Sequence, residues 1–153
     1  MINEELIKTF YKAFQNKDFR TMQNCYADKA KFSDEVFVNL NANEVRAMWE
    51  MLIKKGRDLK VEFSHIRVSE NSGKAEWKAT YTFSKTNRKV INRIKAEFIF
   101  EDGKIISHLD SFSFHSWARQ ALGVPGLLLG WSPWLKKKVR RNAMAGLKDY
   151  LRT

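Results

Sequence analysis

From residue 2 to 15 the apolar side chains Leu6, Ile7, Phe10 and Phe14 recur every three or four positions, the spacing that gathers them on one side of a helix. A second helix is predicted from about Asp18, with Phe19, Met22 and Tyr26 on its buried side. Residues 30–34 read as a short extended piece ending at Asp34. Asn41 and Glu44 stand three apart, so each side chain can take the other's backbone N–H at a helix start. Val45, Met48, Trp49, Leu52 and Ile53 then form a broad apolar face, and Gly56 ends that helix. Three helices thus precede the first long strand.

After Gly56 the period of the pattern falls to two. Leu59, Val61, Phe63 and His65 alternate with Lys60, Glu62 and Ser64. A turn at Asn71-Ser72-Gly73 leads to Ala75, Trp77, Ala79, Tyr81 and Phe83, alternating with Glu76, Lys78, Thr80 and Thr82. A polar turn at 85–88 precedes a strand over 89–100, and Glu101-Asp102-Gly103 leads into a last strand over 104–115. Four long antiparallel strands, each with one apolar face, predict a curved sheet packed on helices, an α+β fold. Beyond it come a short helix over 117–122, an apolar loop over 123–132, and a final helix that Pro133 is suited to begin.

The length of 153 residues fits one such domain. Aromatic residues reach 13%, with 11 Phe and 5 Trp, which suggests a core or cavity lined by rings. The single cysteine, Cys25, excludes an internal disulfide framework and a cysteine-rich zinc module. The start of the chain lacks the basic and apolar regions of a secretory signal, and no apolar run approaches a membrane span, so a cytoplasmic protein is expected. A net charge of +11 invites a nucleic-acid or anionic-membrane partner. Residues 134–153 carry seven Lys/Arg and one acid, Asp149, and so hold six of those charges. With no recognition helix, zinc finger or RNP-like strand legible, specific nucleic-acid binding is not expected.

The last hairpin carries the chemistry. If Glu101-Asp102-Gly103 is a three-residue loop, Phe100 pairs with Lys104, Ala96 faces His108, and Ile94 faces Asp110. One face then reads Ile94, Ala96 and Phe98 with Ile106, His108, Asp110, Phe112 and Phe114. A two-residue Asp-Gly turn pairs Lys95 with Asp110 instead and makes that carboxylate a surface ion-pair partner. Under the first register, His108 and Asp110 are ionisable groups on an apolar face, and Asp34 stands between two apolar stretches. Such groups must be paired, neutralised or set in a wet cavity, so they point to a pocket.

The order of elements, the stretch Tyr26-Ala27-Asp28-Lys29-Ala30-Lys31-Phe32-Ser33-Asp34 and the strand containing Asp102-Gly103-Lys104-Ile105 with His108, Asp110 and Phe112 resemble the NTF2-like superfamily. Within it the chain is similar to the SnoaL-like and ketosteroid-isomerase-like branch, over about residues 4–122. Trp117 to Gly123 and the Leu-Gly-Trp-Ser-Pro run at 129–133 look like a bacterial subgroup of NTF2-like proteins. The resemblance implies a cone: a curved antiparallel sheet wrapped around three N-terminal helices, a deep apolar cavity, dimerisation through the sheet, and here an extra C-terminal helix. It places Asp34 where ketosteroid isomerases hold their general base, and Asp110 on a strand where relatives point polar groups into the cavity. It also implies departures. Phe10 stands where those isomerases have a tyrosine, Ala96 lies near the position of their second acid, and Arg93-x-Lys95 lacks the acid of the related epoxide hydrolases.

The expectation is a domain over 1–122 followed by an apolar loop and basic amphipathic helix over 123–153, which packs on the domain or a dimer partner. Its function is expected to be binding of a small apolar ligand in the cavity, with acid–base chemistry by Asp34, His108 and Asp110 of an isomerase, dehydratase or cyclase kind. Trp49, Phe63, Trp77, Tyr81, Phe98 and Phe112 are expected to shape the pocket. The alternatives are a binding or assembly module without chemistry, or membrane-surface association through the basic helix. A homodimer is expected; no cofactor or metal is, since His65, His108 and His115 are scattered.

Overall fold

A computed structural model describes residues 2–153 of the chain. It opens with α1 (Asn3–Gln15), α2 (Phe19–Asn24), strand β1 (Tyr26–Ser33), the short β2 (Leu40–Asn41) and α3 (Ala42–Lys55). Strands β3 (Lys60–Val68), β4 (Ser72–Phe83), β5 (Arg88–Glu101) and β6 (Lys104–Ser111) follow. Helices α4 (Phe114–Leu122), α5 (Val124–Leu129) and α6 (Pro133–Arg152) close the chain. No helix among the described residues is long and apolar enough to cross a membrane.

Local chemistry sets the helix ends. Asp18 accepts the Thr21 N–H at the start of α2. Asn41 and Glu44 form the reciprocal cap on α3, each bond 2.9 Å long. Ser113 caps α4 through the Ser116 N–H, and Ser132 caps α6 through the Trp134 N–H. The second helix is shorter than its apolar spacing suggested. Tyr26 leaves it and begins β1, because Tyr26, Ala30 and Phe32 are buried as members of the sheet, and sheet pairing overrides a helical spacing of so few residues. The extended piece accordingly runs from Tyr26 to Ser33, and Asp34 lies just past its end.

The six strands form one sheet in the order β2-β1-β6-β5-β4-β3. All neighbours are antiparallel except β1 and β6, which run parallel. In β3 the register shifts between Ser64 and Arg67, and His65 takes a left-handed φ of 54°. That bulge turns His65 out to solvent, off the apolar face where alternation alone put it.

The β5–β6 hairpin follows neither simple register. Its tip is the two-residue turn Asp102-Gly103, with φ values of 50° and 74°, and Glu101 faces Lys104. Continued without interruption, that register would set Asp110 opposite Lys95. Between Phe100↔Ile105 and Ile99↔Ser107, however, β6 carries one extra residue, Ile106. Beyond it Phe98 faces His108 and Ala96 faces Asp110. The bulge therefore returns His108 and Asp110 to the core side and leaves Leu109 and Ser111 outside. Ile105 is fully buried in place of the expected Ile106.

Strand β6 stops at Ser111, not at residue 115, because the Ser113 cap starts α4 and puts Phe114 and Trp117 on a helix. The apolar loop expected over 123–132 contains α5. The main core lies between the sheet and α1, α2 and α3; Leu147 of α6 is buried in it, with Ala143, Met144 and Tyr150 packed against it. A second core gathers Val90, Phe114, Trp117, Ala118, Ala121 and Leu135. Val36, Tyr81 and Phe112, all half-buried, pack against both cores and mark the seam between them. Helix α6 is further tied down by the 2.7 Å ion pair of Lys136 with Glu35 and the hydrogen bond from Tyr150 to Glu50.

Candidate functional site

A continuous chain of hydrogen bonds crosses the main core. The Trp49 Nε1–H donates to Tyr26 Oη over 2.9 Å, and Tyr26 Oη lies 2.7 Å from His108 Nδ1. His108 Nε2 lies 2.9 Å from Asp110 Oδ1, which also accepts from Trp77 Nε1 at 3.4 Å. One assignment satisfies every member. Tyr26, already an acceptor from Trp49, gives its proton to Nδ1; Nε2 then bears the imidazole hydrogen and donates it to Asp110. His108 and Asp110 are each only 2% exposed. Rings enclose the imidazole: Phe98 at 4.3 Å between centroids, Phe32 at 4.9 Å, Phe10 at 5.8 Å. Buried polar groups of this kind persist because they are paired, and these are paired on every nitrogen and hydroxyl.

Asp34 is different. Its Oδ1 accepts the backbone N–H groups of Val36 and Phe37 at 2.7 and 2.6 Å, forming a turn just after β1. The residue keeps part of its surface open, yet burial of its carboxyl raises the pKa from 3.8 to about 7. The two backbone donors pull the other way, and the negative charge of Asp110 adds to the rise. Asp34 in turn pushes up the Tyr81 phenol, chiefly raised by burial. Asp34 thus lies within reach of the charge of Asp110 on one side and of the Tyr81 phenol on the other. Tyr81 Oη accepts the Trp117 indole N–H at 2.8 Å, and among the described residues its own proton has no acceptor.

A further hydroxyl lies in the same core, at a position the apolar stripe of α1 does not single out. Tyr11 Oη is completely buried and has no hydrogen-bond partner among the described residues. Burial, with the charge of Asp110 next, raises its pKa well above that of an ordinary phenol. Its ring stacks on Phe63 at 5.4 Å. Spacing could have found it, since Ile7, Tyr11 and Phe14 follow the same helical period as the residues chosen. Tyr26 falls at an apolar position of the sequence pattern, and its hydroxyl proves to be the link between Trp49 and His108.

The structure brings His108 and Asp110 into direct contact and sets Asp34 near enough to sense Asp110. Trp49 packs on Phe14, Phe32, Phe10 and Trp77 at centroid distances of 5.0 to 6.2 Å, and Phe98 is likewise core. Phe63, Tyr81 and Phe112 are half-buried, the last two at the seam. Two depressions on the outward side of the sheet, around Ile99 and Leu109 and around Glu62 and Lys95, include none of Asp34, His108 and Asp110. Cys25 is buried at the end of α2, where burial raises its thiol to about 11, and so it is a poor nucleophile.

The curved, unclosed sheet with helices packed against it defines the NTF2-like cone, and residues 7–108 match the SnoaL-like domain. The chain belongs to that family. Solved structures with the same fold include an NTF2-like protein of unknown function from Burkholderia pseudomallei, at 15% identity and TM-score 0.68, covering 78% of this chain and 98% of that one. A protein with a ketosteroid isomerase-like fold from Catenulispora acidiphila, in complex with trimethylamine, is similar at 11% identity and TM-score 0.69, covering 80% and 95%. An LEH-like epoxide hydrolase from M. tuberculosis is similar at 17% identity and TM-score 0.63, covering 86% and 96%. At such identities the likeness is one of fold. Comparison with curated proteins gives no match.

Proposed function

We propose that the protein binds a small apolar molecule bearing a carbonyl or hydroxyl group at the seam between its two cores and moves a proton on it with Asp34. The observation that carries this reading is the Asp34 carboxyl, raised to about 7 by burial beside Asp110. A carboxyl with that pKa is a competent base and a competent acid at neutral pH, whereas an ordinary aspartate is too weak a base. In the proposed roles Asp34 takes the proton from a carbon next to the carbonyl, and Tyr81 steadies the oxygen with its free O–H. His108 and Asp110 act from behind: Tyr26 and Trp77 fix them, and the charge of Asp110 helps hold the Asp34 pKa up. That an isomerase-like fold and an epoxide hydrolase are structural neighbours is compatible with such chemistry.

The test is exchange of α-hydrogens for deuterium in cyclic ketones and enones, followed by NMR in deuterated buffer. Exchange should exceed that of buffer, rise with pH through a midpoint near 7, and vanish in Asp34→Asn. No exchange by the folded protein on any of these ketones would sink the catalytic proposal. A second reading, a binding module without chemistry, is favoured by the complete pairing and enclosure of His108 and Asp110. It predicts an apolar compound that co-purifies with the protein and is recovered unchanged after incubation, as read by mass spectrometry.

A further inference from the structure

Six of the eleven residues from Val124 to Trp134 are large apolar side chains open to solvent: Val124, Leu127, Leu128, Leu129, Trp131 and Trp134. A surface helix ordinarily turns such residues inward. Here α5 is inverted, and glycine is the reason. Gly126 is its buried residue, and a Cβ there would stand 1.9 Å from the Ala118 carbonyl oxygen, so only glycine lets α5 lie against α4. At Gly130 a Cβ would meet the His115 ring at 2.6 Å. With the glycines inward, Leu127, Leu128 and Leu129 are forced outward. Trp131 is 78% exposed yet held in place, its indole stacked on His115 at 4.0 Å and 14°. The patch is a built surface and not a frayed end.

Apart from Glu35, which pairs with Lys136, the segments around it carry cations. No Asp or Glu lies between Asp110 and Asp149, nor between Glu76 and Glu97. The first segment supplies α4, α5 and most of α6; the second supplies the β4–β5 turn, which joins α4 through Arg88 Nε and the Gln120 carbonyl at 2.8 Å. Lys137, Lys138 and Arg141 project from α6 beside the patch, while Lys136 is engaged by Glu35. Apolar side chains and tryptophans rimmed by unopposed cations fit a surface that is apolar within and anionic outside.

We propose that this end of the molecule docks on an anionic lipid surface, with the α5 leucines and the two tryptophans entering the headgroup region and the surrounding lysines and arginines meeting lipid anions. A helix of six residues lies in the interface and does not span it. The apolar stripe of α6 takes no part, because Leu135 and Leu147 are spent on the protein's own cores. A second copy of the chain is a poorer occupant: face-to-face docking would set the same cationic rims against each other in a chain of net charge +11. The proposal is independent of the chemistry of Asp34.

Co-sedimentation of the full chain with phosphatidylcholine vesicles, with and without phosphatidylserine, tests it. Binding should need phosphatidylserine, weaken at high salt, and shift tryptophan emission to the blue, since Trp49, Trp77 and Trp117 are already buried and Trp131 and Trp134 are not. The exposed pair Leu127→Asn/Leu128→Asn should weaken binding roughly tenfold or more at an unchanged melting temperature, and Lys137→Glu/Lys138→Glu should weaken it at low salt. Folded protein that stays in the supernatant with phosphatidylserine vesicles overturns the proposal. So does undiminished binding by the Asn pair. Self-association that the Asn pair abolishes, without vesicle binding, assigns the patch to a second copy and overturns it equally.

Discussion

Phe98 lies directly opposite His108 across β5 and β6, their rings 4.3 Å apart between centroids. The chain reaches that pairing through the bulge at Ile106, the extra residue in β6. Deleting Ile106 removes the bulge and joins Ser107 directly to Ile105, so Ile99↔Ser107, Phe98↔His108 and Ala96↔Asp110 stay opposite each other in an uninterrupted ladder. The deletion variant, like Ile106→Ala, should therefore keep a cooperative unfolding transition, whereas one alanine inserted between Ser107 and His108 turns His108 and Asp110 to the solvent side and should abolish it. Circular dichroism melts compare the three. An insertion variant that melts cooperatively near the parent temperature contradicts the role given to the register.

The buried hydrogen-bond chain predicts a graded mutant series. Tyr26→Phe strands both the Trp49 N–H and His108 Nδ1, and should cost on the order of 2 kcal/mol by urea denaturation. Asp110→Asn keeps an oxygen for the His108 and Trp77 donors and should cost less than Asp110→Leu, which leaves both unpaired. Equal losses in the two Asp110 variants would mean that these donors do not depend on an acceptor there.

Asp34 makes stability depend on pH in a definite direction. Its carboxyl has a pKa of about 7 when folded, against 3.8 as its ordinary value. Between those values the folded chain holds a proton that the unfolded chain has released, so stability falls as pH rises from about 4 to about 7 and levels off above. The effect is on the order of 4 kcal/mol. Asp34→Asn retains an oxygen for the Val36 and Phe37 N–H groups, and should flatten this slope and exceed the parent in stability at pH 8. Carbon-detected NMR titration reads the carboxyl itself; a midpoint below 5 removes the premise.

The period change after Gly56, the Asn41–Glu44 cap and the inward face of β5 are local patterns of spacing, and the structure has all three. The inward placement of His108 and Asp110 was expected from a three-residue turn; the structure reaches it by a two-residue turn plus a bulge, and no local spacing marks Ile106 as the extra residue. Asp34 could be picked out as a charge between apolar stretches, but not its two backbone donors, which come from how the chain folds back after β1. Phe19, Met22 and Tyr26 share a helical spacing, but three residues cannot separate a period of 3.6 from sheet pairing, and Tyr26 begins β1. The inversion of α5 depends on how closely α4 approaches Gly126, a tertiary distance that composition does not contain.

Two glycines in the C-terminal part should respond to alanine in opposite ways. Gly146 lies inside α6 with open space where a Cβ would go, so Gly146→Ala should stabilise by about 1 kcal/mol through helix propensity. Gly126→Ala drives a methyl into the Ala118 carbonyl and must displace α5 from α4. Limited proteolysis should cut that variant near 123–132 much faster than the parent. Similar protection in both would show that α5 does not need this close approach.

Tyr11 offers a test in which stability and function part company. Its hydroxyl is fully buried without a partner, beside Asp110 and Tyr26, and an unpaired buried hydroxyl costs free energy that a phenyl ring of the same shape does not. Tyr11→Phe should therefore leave stability unchanged or raise it by about 1 kcal/mol, with the Phe63 stacking intact. If the hydroxyl is kept to meet a bound molecule, the same variant should retain less of the co-purifying compound, a loss of binding in a protein that has become no less stable. Thermal melts and mass spectrometry of the extracted compound measure the two sides. A clear fall in melting temperature would mean that the hydroxyl has a partner inside the core after all.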